Sequence, residues 1–209
     1  MRLDKVILRA ILSTLAAIGV LFLVMILSCL FFFPSTLMHL TYDMGMEKSA
    51  VRNAERAYKL DGGVEYMAFA FSIAVDNGDF EKVQAYGEKI IADDEFADYC
   101  KAQDGENEGN EYLVGGYAQF VYGNTYSAQY RNGEKSEALT NAYAVSRNFV
   151  PGNAVARILI AALQSKDYAT AKTICETLLE WKTADMPTAN EYLEEMIQLA
   201  EKYLTASGN

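Results

Sequence analysis

Hydrophobic positions in this chain fall into two regimes. The first is a block. Between Arg9 and Asp43 there is no Asp, Glu, Lys or Arg, and Val6 to Phe33 is dominated by Leu, Ile, Val, Phe, Met and Ala. A bilayer core takes about 20 apolar residues as a helix. This run has 28, about 42 Å of helix at 1.5 Å per residue. The second regime is periodic. Apolar residues recur at three- and four-residue steps, the mark of a buried helix face. Met67, Ala70, Phe71 and Ala74 make one stripe, and Phe80, Val83, Gly87 and Ile90 another. Others run through Ala138, Ala142 and Val145, through Val155, Ile158, Leu159 and Ala162, and through Ala171, Ile174, Cys175 and Leu178. The last is Leu193, Met196, Ile197 and Ala200. No stretch sustains period-two alternation, so the pattern predicts an all-α fold without a sheet.

Turn chemistry separates the stripes. Asn77-Gly78-Asp79 ends one helix with Gly and caps the next with Asp. Gly62-Gly63, Asn132-Gly133 and Pro151-Gly152 punctuate similarly, and Ser165-Lys166-Asp167 does so without Gly. Asp104 to Glu111 is acidic and glycine-bearing and reads as an exposed loop. A calcium loop is the functional alternative, but its spacing does not match an EF-hand. The expected organisation is a short tail at 1–5, a transmembrane helix and its exit at 6–40, and an acidic helical domain at 41–209. A loop is inserted in that domain at about 103–111.

One element recurs: a turn, then a helix whose first buried position is small or β-branched. Gly78-Asp79-Phe80-Glu81-Lys82-Val83 is the clearest copy. The copies at 133–138, 166–171 and 45–50 place Ala138, Ala171 and Ala50 where this one has Val83. The anchor positions Ala50, Val83, Ala138 and Ala171 are spaced 33, 55 and 33. The long interval contains the acidic loop, and the two short ones lie near the 34-residue tetratricopeptide period.

Over roughly residues 45–183 the chain resembles a degenerate tetratricopeptide-repeat family. The resemblance rests on Gly78-Asp79-Phe80 with Val83, like the family's Gly-Asp-Tyr-x-x-Ala, and on Asp167-Tyr168-Ala169-Thr170-Ala171. The family's first-helix Trp and Leu-Gly pair are absent. The resemblance implies a helical-hairpin array, an α-solenoid, with a capping helix from about Thr188 to Thr205. It also implies peptide or helix binding on a concave face formed mainly by the first helix of each pair. Those helices nominate Tyr122, Tyr126 and Tyr130, spaced by four along one helix. Their alternative role is a packed core face with phenols reaching its edge.

The length of the apolar run and the bulky Leu30 to Phe33 exit favour an uncleaved anchor over a signal peptide. Ile26-Leu27-Ser28-Cys29 loosely resembles a lipoprotein box, with a poor Leu27 and an apolar run continuing beyond it. A buried soluble helix is a further alternative. Three cations flank each side of the span: Arg2, Lys5 and Arg9 before it, and Lys48, Arg52 and Arg56 after it. The first three abut the apolar run and Asp43 and Glu47 precede Lys48, so the expected orientation is N-terminus cytoplasmic, domain outside. Ser13 and Ala17 form a small-xxx-small pair, a weak suggestion of self-association.

The chain has 18 Lys and Arg against 28 Asp and Glu, and residues 41–209 carry a net −12. Such a domain repels phosphate backbones, which argues against nucleic acid as a partner. The lone His39 lies at the membrane boundary, so the domain has no Ser-His-Asp, Cys-His or Cys-His zinc arrangement. Gly115-Gly116 follows no strand and is no phosphate loop. Cys100 and Cys175 either pair in an oxidising compartment or are buried thiols. No cofactor is expected. The leading expectation is a non-enzymatic, membrane-anchored scaffold binding a protein or peptide beside the membrane. The alternatives are an accessory subunit of a transport or secretion complex, and a surface enzyme using paired carboxylates.

Overall fold

A computed structural model describes residues 2–106, 116–146, 153–181 and 187–206. Among the described residues there are eleven helices and no strand. Gly115, Pro151-Gly152 and the 107–111 part of the acidic stretch lie outside them. The chain divides into two compact units, Met1–Ala70 and Phe71–Asn209. The division falls inside one helix, within the span expected from sequence to be a single domain from residue 41.

The first unit contains α1 (Arg2–Phe32), α2 (Pro34–Asp43), α3 (Glu47–Asp61) and the first half of α4 (Val64–Asp76). Ile7–Ser28 of α1 is long and apolar enough to cross a membrane, and none of it is buried. That exposure removes the soluble-core alternative. A signal sequence meets the same test of length and composition. The Ser13 and Thr14 hydroxyls both donate to the Ala10 carbonyl at 2.9 Å, so neither is left unpaired in an apolar setting. Pro34 has no N–H to continue the ladder and opens a new helix as its first residue. α2 packs on α3, with Met38 buried on one and Ala50, Asn53, Ala54 and Ala57 on the other. Phe69 of α4 meets the ring edges of Tyr42 and His39 at 5.2 and 5.9 Å.

The second unit contains the rest of α4, α5 (Phe80–Ile91), α6 (Phe96–Glu106), α7 (Gly116–Arg131) and α8 (Lys135–Val145). It continues through α9 (Ala154–Gln164), α10 (Tyr168–Glu180) and α11 (Pro187–Ala206). α7 packs against α5, α6, α8 and α9; α9 packs against α8 and α10, and α10 against α11. Ile158, Leu159, Ile174, Leu178 and Leu193 form the core. Cys100 and Cys175 are free thiols, both buried.

The repeated sequence element is a repeated piece of backbone. In the α4–α5 turn the Asp79 N–H reaches back to the Ala74 carbonyl and the Gly78 N–H to Val75. The same pair of bonds closes the α2–α3 turn (Met46 to Thr41, Gly45 to Tyr42) and the α7–α8 turn (Glu134 to Gln129, Gly133 to Tyr130). The α9–α10 turn repeats it with Asp167 to Ala162 and Lys166 to Leu163. This is the Schellman closure, whose central residue must be left-handed. Gly45, Gly78, Gly133 and Lys166 have φ of 71°, 64°, 104° and 60°. Four residues after each closure, Ala50, Val83, Ala138 and Ala171 are buried.

Two local expectations change. Phe80, counted in a buried stripe, is 42% exposed. As the first residue of α5 after its Asp79 cap, its ring instead carries the Arg131 guanidinium 4.7 Å from its centroid. The acidic stretch is helical through Glu106, and the Asp104 carboxylate accepts the Tyr117 backbone N–H at 2.6 Å, capping α7 from outside.

Candidate functional site

With four helices packed around it, α7 has no wholly solvated side, and Arg131 is its only charged residue. Steps of four turn each successive tyrosine by about 40° around the axis, so the row drifts across the helix surface. Tyr130, the last, is buried in the core, 1% exposed. Its hydroxyl donates to Asp167 Oδ2 at 2.7 Å, and Lys135 Nζ binds the same oxygen at 2.7 Å while lying 5.3 Å from the Tyr130 ring centroid. Asp167 Oδ1 accepts the Thr170 N–H at 3.2 Å and caps α10. Burial alone would raise the Asp167 carboxyl, but the hydrogen bonds from Lys135, Tyr130 and Thr170 outweigh it and hold the group at about 2. Burial, then the bond to Asp167, pushes the Tyr130 phenol up to about 12.

Tyr122 and Tyr126 keep part of their surface. Their rings stack at 6.0 Å with an 11° tilt, and Phe96 of α6 sets its edge against Tyr122 at 5.4 Å. Burial raises both phenols above their ordinary range. The three nominated tyrosines thus share a helix but not a surroundings: two have surface to offer a partner, and the third is used internally.

A different face of α7 meets α9. Arg157 donates from Nη1 to Asn124 Oδ1 at 3.2 Å, with its guanidinium 5.8 Å from the Phe120 centroid. Asn124 Nδ2 in turn donates to the Phe120 carbonyl at 2.8 Å. Further along, Arg131 donates to Gln164. Between Arg157 and Gln164, Ile160 stands 48% exposed. Burial lowers the Arg157 pKa from its ordinary value. Neither α7 nor α9 contains an Asp or Glu, so this face holds two guanidiniums and no carboxylate of its own helices in a chain of net charge −10.

These residues escaped the sequence reading, which followed aromatic content. The signal was spacing: Asn124 to Arg157 and Arg131 to Gln164 are each 33 apart, the interval that also separates the turn anchors. Among the described residues, no group of three or more His, Cys, Asp and Glu is arranged to hold a metal ion. His39 is exposed, with its ring centroid 5.9 Å from that of Phe69 in an edge contact.

Fold and site together define the class: an all-helical protein with one N-terminal helix long and apolar enough to span a bilayer. No protein-family model matches the chain, and no curated protein or solved structure is recognisably similar to it.

Proposed function

We propose that this chain is a membrane-anchored helical-hairpin scaffold whose α7–α9 face binds an acidic peptide segment of a partner protein. The observation that carries this reading is the pairing of Arg157 with Asn124 and Phe120 on two acid-free helices. A guanidinium held by an aromatic face and an amide is oriented in advance, so a carboxylate meets it at low entropic cost. The four like turns at 33-, 55- and 33-residue intervals support stacked hairpins of the tetratricopeptide kind, and α6 occupies the long interval. Stacked pairs cover one another's apolar faces and leave an extended binding face. The exposed, apolar window Ile7–Ser28 of α1, with Arg9 its one charge, supports anchoring.

The test uses the full chain in lipid nanodiscs against a phage-displayed peptide library. Enriched peptides should carry Asp or Glu, lose affinity with rising salt, and bind Arg157→Ala about tenfold more weakly, a loss of about 1.4 kcal/mol. Enrichment indifferent to acidity or to Arg157 would remove the reading. Intact-mass measurement on membranes tests the anchor: the chain should retain residues 1–33.

A further inference from the structure

The start of α2 and the end of α3 lie together in the first unit. The Tyr66 hydroxyl bonds to both Ser35 and Asp61, at 3.5 Å from Asp61 Oδ2. Ser35 is three residues beyond the end of α1, no more than roughly 10 Å of chain. The last turn of α3 is therefore held beside the exit of the apolar helix. Gly62, left-handed at φ 76°, stops α3 there.

At this end two large apolar side chains are uncovered, Phe33 at 56% and Leu60 at 63% exposed. Lys59, next to Leu60, is exposed as well. The buried face of α3 runs through Ala50, Asn53, Ala54 and Ala57. At about 100° per residue, Lys48, Arg52 and Lys59 fall on the opposite side, and all three are exposed. A bare leucine beside a lysine, at the mouth of a bilayer-length helix, matches the two layers of a lipid interface. Apolar side chains enter about 5–10 Å into the boundary while cations stay with the phosphates.

We propose that Phe33, Lys59 and Leu60 form a lipid-contact foot. Leu60 enters the acyl boundary of the bilayer that holds α1, and Lys59 meets lipid phosphates. The bilayer is the occupant because Phe33 continues the apolar run of α1 and Tyr66 ties the end of α3 to Ser35, two residues further on. This inference rests on the anchoring reading above.

The test labels the full chain with an environment-sensitive fluorophore at Leu60→Cys, Met44→Cys or Ile18→Cys, each in a Cys29→Ser background. The proteins are placed in nanodiscs of phosphatidylcholine and phosphatidylserine containing, in separate samples, lipid doxyl-labelled near the headgroup, to read residues 44 and 60, or at the end of the acyl chain, to read residue 18. Residue 44 follows the far end of α2, about 15 Å away along its 10 residues. The label at 18 should be quenched. The label at 60 should be quenched well beyond that at 44, as expected for a side chain about 5–10 Å into the interface, and Lys59→Glu should reduce that quenching. The label at 44 should change little. Quenching at 18 with none at 60 beyond that at 44 overturns the foot and leaves the anchor standing. No quenching at 18 overturns the anchor, and the foot with it.

Discussion

The Tyr130 hydroxyl donates to Asp167 Oδ2 at 2.7 Å, joining the last turn of α7 to the turn that starts α10, 37 residues on. That carboxylate also caps α10 and pairs with Lys135. Its folded pKa of about 2 lies below the ordinary 3.8, so its stabilisation is complete above about pH 4 and is lost as pH falls through 2. The amount is about 2 kcal/mol. Tyr130 works in the other direction: its phenol is raised from 10 to about 12, so its contribution is complete below pH 10 and is lost as pH rises through 12. Chemical denaturation across pH should show both slopes. Tyr130→Phe should reduce the alkaline one, to which Tyr117, Tyr122, Tyr126 and Tyr143, their phenols also raised by burial, contribute as well, and cost about 2 kcal/mol near neutrality.

Gly87 of α5 lies against Thr125 of α7, and a Cβ there would fall on the Thr125 hydroxyl. That hydroxyl is already committed to the Val121 carbonyl at 2.7 Å. Gly87→Ala should therefore force α5 and α7 apart and cost about 2 kcal/mol. Adding Thr125→Ala opens the space. The double variant should be more stable than the sum of the singles by about 1 kcal/mol, read from a double-mutant denaturation cycle.

Lys166 is the one non-glycine residue at the left-handed position of the four turns, at φ 60°. Its Cβ makes that conformation cost about 1 kcal/mol relative to glycine. Lys166→Gly should stabilise the chain by up to about that amount, and Gly78→Ala or Gly133→Ala should destabilise it similarly. Opposite signs in the melting shifts would confirm that one turn geometry governs all of them.

Cys100 and Cys175 are 5% and 0% exposed, and burial first, with nearby Asp104 and Glu176 second, pushes each thiol up to about 11. The thiolate is the reactive form. Neither should react with a thiol reagent at pH 8 until the second unit is unfolded in denaturant. Rapid modification in the native state would show a local opening there.

The turns explain why so much of the secondary structure was legible. Asn77-Gly78-Asp79 names a left-handed stop followed by a cap, and both are backbone requirements that neighbouring residues satisfy alone. Val83 and the three alanines equivalent to it repeat because the same turn puts the same position into the same contact. Phe80 misled because periodicity counts apolar residues without knowing that the first residue of a helix still faces outward past its cap. The acidic stretch misled because Asp104 finds a backbone N–H 13 residues away, a partner that local composition does not show.

α7 marks the limit. Its apolar and polar residues are spread around the whole helix because helices cover it on several sides, so no stripe revealed which face was which. The sequence by itself determined the apolar block that makes up most of α1, the helix stops, and the small anchors after each turn, since each depends on local bonds or bulk hydrophobicity. Only the tertiary structure decided that Tyr130 would be spent on Asp167 while Tyr122 and Tyr126 kept some surface. It alone brought Arg157 to Asn124. Those outcomes depend on which helices touch, a contact between residues tens of positions apart that no local pattern encodes.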